Sequence, residues 1–160
     1  MNNFDINTFS AKELRSTLIS ITLEWERRYG VAPSVTSAIS EYDAAILVGQ
    51  TPESVGNQNK GRTAVTRGTD FIHNTLRYQV KANRPSGKPG SFVTLVAKAR
   101  NYDWDRLIWI LYDREFNLVE AWEWNVDDYR SAFDLTGRLS PSHMRKGRCL
   151  SINTPQGAKN

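Results

Sequence analysis

The sequence predicts an α/β fold, an α+β mixed sheet flanked by helices. Three observations carry this reading: the chain opens with two stretches of helical periodicity, its period changes near residue 69, and Leu107–Tyr112 is an uninterrupted apolar run. At 160 residues the chain suits one domain with its own core, expected over residues 1–153, with 154–160 as a flexible tail.

The elements follow in order. Ser10-Ala11-Lys12-Glu13 reads as a capping box, because the serine can accept from the third helical N–H while the glutamate reaches back to the cap. Leu14, Leu18, Ile21 and Trp25 then make one apolar stripe, and Gly30 and Pro33 end the helix. A second helix is expected from Ser34 to Gly49, with Val35, Ala38, Ile39, Tyr42, Ala45 and Ile46 inward. Residues 51–68 are polar and glycine-bearing and read as a loop or irregular strand. Thr69–His73 and Leu76–Asn83 are expected strands joined by a tight turn at His73-Asn74-Thr75. Arg84–Gly90 holds two prolines and two glycines and cannot continue a ladder. Phe92–Val96 is a short expected strand, and Leu107–Tyr112 a central strand buried on both faces. Asn117–Trp124 is the next strand, after a turn at 113–116. Val126–Phe133 is a short helix capped by Asn125, and the chain from Gly137 onward reads as loop.

Composition narrows the function classes. The single cysteine, Cys149, cannot form an intrachain disulfide and leaves too few thiols for a zinc ribbon. No apolar run approaches the roughly 20 residues that span a bilayer, and the N-terminus lacks the basic start and apolar stretch of a signal peptide. A cytoplasmic protein without membrane association is the expectation. The net charge of +4 is unevenly distributed. Residues 1–55 carry four bases and seven acids, and residues 101–160 carry eight and nine. Between them, residues 56–100 carry nine bases (Lys60, Arg62, Arg67, Arg77, Lys81, Arg84, Lys88, Lys98, Arg100) and one acid, Asp70. A basic middle on a near-neutral frame suggests an anionic polymer as partner.

That isolated acid belongs to the expected hairpin. Side chains at i and i+2 share a strand face, so Gln79 and Lys81 point the same way, opposite to Tyr78 and Val80. A short turn brings Asp70 across from them. A carboxylate, an amide oxygen and an ammonium then converge on one side of a sheet. Hard cations such as Mg²⁺ take oxygen ligands and keep positions for water and phosphate.

Gly68-Thr69-Asp70, followed after eight residues by Gln79-Val80-Lys81, resembles the PD-(D/E)XK nuclease superfamily with its restriction-endonuclease-like fold. The resemblance covers roughly residues 34–124. It implies a metal-dependent DNA endonuclease that leaves 5′-phosphate and 3′-hydroxyl ends, with Mg²⁺ (or Mn²⁺) as cofactor. Asp70, Gln79 and the Val80 carbonyl would hold the metal, Lys81 would serve the attacking water, and Glu41 on the preceding helix would orient water or a second ion. On a helix Glu41 lies between Ala38 and Ala45, small neighbours that leave room beside it; Asp43 ranks below it. Two positions depart from the family pattern. The signature proline is Thr69, and the acid of the strand triplet is Gln79, which can ligate but brings no charge.

Candidate DNA contacts are Lys60, Arg62 and Arg67 before the hairpin, Arg84, Ser86 and Lys88 in the loop after it, and His143, Arg145, Lys146 and Arg148 near the C-terminus. Trp104, Trp109, Trp122 and Trp124 read as core or subunit-interface packing rather than as base-stacking platforms. Double-stranded DNA is the expected partner, and a chain of this size acting on both strands is expected as a homodimer or higher homo-oligomer. Two alternatives stay open: a non-catalytic nucleic-acid-binding module with the same fold, and a small-molecule or protein-binding α/β domain.

Overall fold

A computed structural model describes residues 4–60 and 68–153. The chain divides into two compact units, Met1–Val35 and Thr36–Asn160. The first contains a short 3-10 turn at Ile6–Thr8 and helix α1, Ala11–Tyr29. The expected capping box is present: Ser10 accepts from the Glu13 N–H at 3.2 Å, and the Glu13 carboxylate accepts from the Ser10 N–H at 2.7 Å. Gly30 closes the helix in the left-handed region, as the sequence stop signals predict. The Leu14, Leu18, Ile21 and Trp25 side chains remain 38–56% exposed.

Among its described residues the second unit holds a five-stranded mixed sheet with four helices. Its strands are β1 (Phe71–His73), β2 (Leu76–Asn83), β3 (Arg106–Tyr112), β4 (Leu118–Asn125) and β5 (Arg148–Ile152), arranged in chain order. Only β2 and β3 are parallel; every other neighbouring pair is antiparallel. The expected tight turn is Asn74-Thr75, both residues at positive φ, the geometry of a two-residue type I′ hairpin. Helix α2, Thr36–Leu47, ends in a Schellman motif: Gln50 N–H donates to Ala45 O and Gly49 N–H to Ile46 O, with Gly49 supplying the positive φ.

The inward face of α2 differs from the expected one. Ile39, Ser40, Ala44 and Ala45 are buried, whereas Ala38 and Ile46 face solvent. A serine and a second alanine, both small enough for close packing, turn the buried arc toward Glu41 and Asp43.

Three further segments depart from the sequence reading. Residues 51–68 contain helix α3, Pro52–Asn59, whose start was encoded locally: Thr51 caps by accepting from Ser54 N–H, Pro52 occupies the first turn, and Glu53 faces the helix dipole. Phe92–Val96 forms no strand. Its backbone meets a partner strand-fashion only at Val96, which bridges Leu139, and Phe92 stays 78% exposed. The chain after Gly137 is not all loop, since it holds α5 (Pro141–Met144) and the edge strand β5. By contrast, α4 spans Val126–Phe133 with Asn125 as N-cap accepting from Asp128 N–H at 2.8 Å, as expected.

One core cluster gathers Val96, Trp104, Leu107, Trp109, Trp124, Tyr129, Phe133, Leu139 and Met144. Aromatic rings meet there edge to face, Trp104 on Tyr129 at 5.3 Å and Trp124 on Phe133 at 4.8 Å. These tryptophans are core residues; Trp104 and Trp109 have no exposed surface. Among the described residues no helix is long and apolar enough to cross a membrane.

Candidate active site

The site begins where β1 begins. Gly68 has φ +69, a backbone conformation that calls for glycine, and a Cβ there would have to displace the Asn101 side chain. The buried Thr69 donates its hydroxyl to Asp103 O at 3.1 Å, tying this segment to the approach to β3. Asp70 therefore stands one residue ahead of β1, with its backbone N–H donating to Tyr78 O at 2.7 Å.

Because β1 has only three residues, β2 outruns it, and the Val80 N–H has no strand partner on that side. The Asp70 carboxylate takes this place: Oδ2 accepts from Val80 N–H at 2.7 Å and from Gln79 Nε2 at 2.7 Å. Burial pushes the Asp70 carboxyl above its ordinary range, while the Val80 N–H, the Lys81 charge and the Gln79 amide pull it back. Glu41 on α2 is pushed up to about 7, first by burial and then by the negative charge of Asp70. Two carboxyls that repel one another in a half-buried place are the electrostatic setting that a divalent cation relieves.

The strand alternation is as the sequence predicts. Tyr78 and Val80 are buried on one face; Gln79, Lys81 and Asn83 share the other. In register, Gln79 lies beside Leu107 and Lys81 beside Trp109. Asn83, which sequence reasoning passed over, braces this face: its Oδ1 accepts from Trp109 Nε1 at 2.8 Å and its Nδ2 donates to Leu95 O at 3.0 Å. The signal was available as three polar residues, Gln79, Lys81 and Asn83, at i, i+2 and i+4 on one face of the strand. Asp43 accepts from the Tyr112 hydroxyl at 2.6 Å, a second polar link between α2 and the sheet.

Asp70, Glu41, Gln79 and the Val80 carbonyl are all oxygen donors, the chemistry of a hard cation. In the present arrangement Gln79 turns its amide nitrogen to Asp70 and, at 3.4 Å, to Val80 O; half a turn of the amide would present Oε1 instead. Among the described residues no three His, Cys, Asp or Glu side chains gather around one point.

The candidate DNA contacts separate by how they are engaged. Arg62 and Arg67 lie outside the described residues. Lys60, Ser86, Lys88 and Lys146 are exposed. The Arg84 guanidinium lies 4.5 Å over the Phe116 ring and donates to Arg114 O, which pins the loop after β2 to the β3–β4 turn. Arg145 forms a two-pronged pair with the buried Glu120, and Arg148 pairs with the buried Glu123 at 2.6 Å. His143 Nδ1 accepts from Ser140 N–H at 3.0 Å and so caps α5. The two loops that the sequence marks meet in space: Pro85, Ser91 and Phe92 from the first and Ser140, Ser142 and Arg145 from the second line one cleft of about 590 Å³.

The sequence matches no family model, and no curated protein matches it.

A pH signature follows from the two carboxyls. A folded-state pKa above the ordinary 4.5 means that folded Glu41 keeps its proton while unfolded Glu41 has lost it. The unfolded chain then binds fewer protons, and stability falls as pH rises from about 4.5 to about 7. Asp70 contributes with the same sign. Thermal denaturation in metal-free buffer should show this decline, and Glu41→Gln should flatten it. A profile unchanged by the substitution would mean that Glu41 is not the group titrating.

Proposed function

We propose that the protein is a Mg²⁺-dependent endonuclease acting on double-stranded DNA. The single observation that carries the reading is the meeting of Asp70, Gln79 and the Val80 backbone, with Glu41 near enough to feel the Asp70 charge and Lys81 on the same strand face as Gln79. A bound divalent cation supplies charge neutralisation at a phosphate under attack. The Asp70 carboxylate and the Gln79 amide, once turned, would hold the cation with the Val80 carbonyl. Lys81, as a charged ammonium, would orient the attacking water and stabilise the charge that develops on phosphate. Glu41 would hold a second water or ion. The exposed Lys60, Lys88 and Lys146 supply charge for the DNA backbone. A second reading, a binding module that does not cut, is favoured by one feature, the uncharged Gln79 amide donating to Asp70.

Incubation of supercoiled and linear DNA with Mg²⁺ or Mn²⁺ separates the two. Metal-dependent nicking or linearisation is expected, with 5′-phosphate ends, and Lys81→Ala should lower the rate by about 10²-fold or more, the scale of one lost charge-stabilising donor. Binding without cleavage in either metal would leave the non-catalytic module. Cleavage unaffected by Lys81→Ala would remove Lys81 from the site.

A further inference from the structure

Two clusters of polar side chains lie away from the proposed metal ligands, and they differ in how far the fold satisfies them. On the outer side of β1, the Gln58 amide pairs with Ile72 as a strand would: Nε2 donates to Ile72 O at 2.6 Å, and Oε1 accepts from Ile72 N–H at 2.9 Å. Gln50 Nε2 adds a longer bond to the same carbonyl, and its Oε1 meets His73 Nδ1 at 2.6 Å. This cluster is spent inside the fold.

The second lies where β3 begins and β4 ends. Arg106 is the neighbour of Tyr78 in β2 and of Asn125 in β4, so its side chain shares the Tyr78 face of the sheet, opposite to Gln79 and Lys81. Glu123, two residues before Asn125, shares that face, and Arg148 of β5 lies beside it. The turn into β5 is pressed onto β4 at Gly147, where a Cβ would lie 2.6 Å from the Glu123 carbonyl oxygen. That close seat sets Lys146 and Arg148 at the wall of a cavity of about 260 Å³, with Arg106, Glu123 and Asp128 among the other lining residues.

The charges there do not cancel. The buried Glu123 is taken by Arg148, whose Nε and Nη2 both donate to Oε2, at 2.9 and 2.6 Å. Asp128 accepts from the Asn125 amide at 2.6 Å in the cap of α4. Arg106 and Lys146 remain, and neither side chain forms a hydrogen bond or an ion pair among the described residues. Arg106 is partly buried, and a guanidinium drawn out of water without a partner is costly. The Tyr78 hydroxyl, also without a hydrogen bond among the described residues, feels the same groups: burial and the Glu123 charge push its pKa up, and Arg106 and Arg148 pull it back.

We propose that this cavity holds a phosphate group, with Arg106 as its principal donor and Lys146 and the unused Nη1 of Arg148 completing the grip. Phosphate oxygens match the planar fork of a guanidinium and form its stronger, charge-assisted hydrogen bonds. The cavity far exceeds the roughly 10–15 Å³ that one water needs, so the group and part of its hydration shell have room. Because Arg106 lies on the face opposite to Gln79 and Lys81, a phosphate held here is not the one under attack. The site therefore stands whether or not the protein cuts DNA.

Inorganic phosphate titrated into the full chain, with chloride keeping the ionic strength constant, tests the site. The Arg106 Nε–H resonance, assigned by its loss in Arg106→Gln, should shift and saturate, and the thermal midpoint should rise with phosphate. Arg106→Gln should weaken phosphate binding by about tenfold or more in calorimetry, the scale of lost hydrogen bonds to a charged group, with circular dichroism unchanged. Lys146→Gln, at an exposed position, should weaken it by a smaller factor of about threefold. A shift that does not saturate, or an Arg106→Gln protein that binds phosphate as the wild type does, would overturn the proposal. A fluorescein-labelled DNA duplex in EDTA then identifies the source of the group. Duplex affinity lowered by Arg106→Gln makes it a backbone phosphate, and unchanged duplex affinity with phosphate binding lost makes it the phosphate of a small ligand.

Discussion

Asp70→Asn is expected to lower DNA cleavage by about 10³-fold or more while leaving the fold in place. The expected loss reflects the several kcal/mol that a correctly held divalent cation contributes at a phosphate, each 1.4 kcal/mol being about tenfold in rate. The choice of asparagine separates two roles of one side chain. Asp70 both carries the charge of the site and accepts from the Val80 N–H. An asparagine Oδ1 can still accept that bond, and Gln79 can turn to offer its oxygen to the new amide nitrogen, so hydrogen bonding survives while the charge does not. Asp70→Ala removes both, leaving the Val80 N–H and the Gln79 amide without their acceptor, and should in addition cost about 1–3 kcal/mol of stability. Steady-state cleavage and urea denaturation of the two variants resolve the roles. Loss of charge also relieves Glu41, whose carboxyl should titrate lower in Asp70→Asn than in the wild type. Near-normal cleavage by Asp70→Asn would remove this carboxylate from the chemistry altogether.

The second large effect is on stability. Trp109→Ala should cost about 3–5 kcal/mol, the range for deleting a large aromatic from a packed core. Trp109 is fully buried, lies between Lys81 of β2 and Trp122 of β4 in the sheet register, and donates its indole N–H to Asn83. Trp109→Phe keeps most of the volume but leaves Asn83 Oδ1 without its donor, so a smaller loss of about 1–3 kcal/mol is expected. Urea melts measure both. Equal losses in the two variants would show that the hydrogen bond, not the packed volume, dominates at this position.

How much of this could be read from the sequence varied with how local the signal was. The α1 capping box, the Asn125 cap and the apolar β3 run are encoded within a few residues, and each forms as expected. The pairing of Asp70 with the Gln79–Lys81 strand was equally accessible, because a two-residue turn leaves little freedom in register. Helix α3 was missed although Thr51-Pro52-Glu53 is a helix start, since the polar residues and Gly56 behind it have no apolar stripe. The Phe92–Val96 segment has strand-forming residues but pairs among the described residues only at Val96, with Leu139, which the tertiary arrangement decides. The inward face of α2 was displaced because Ser40 and Ala44 carry almost no hydrophobic signal, yet their small size is what lets the helix approach. The buried partners of Arg145 and Arg148 lie 25 residues away in sequence, beyond any local pattern.

The amide of Gln58 has a wider meaning for how the molecule breathes. Ile72 is fastened on its outer side by a side chain from α3, not by another strand, so that fastening lasts only as long as the last turn of a short helix stays wound. When that turn frays, Ile72 loses both Gln58 bonds at once and keeps on that side the longer one from Gln50 at 3.3 Å, while β1, the three-residue strand it centres, stays paired with β2. The segment that releases in such an opening begins at Asp70. Asp70, the carboxylate proposed to hold the metal, thus stands beside a strand fastened by side chains, and the end of the helix that fastens it is capped by Lys60, a candidate DNA contact.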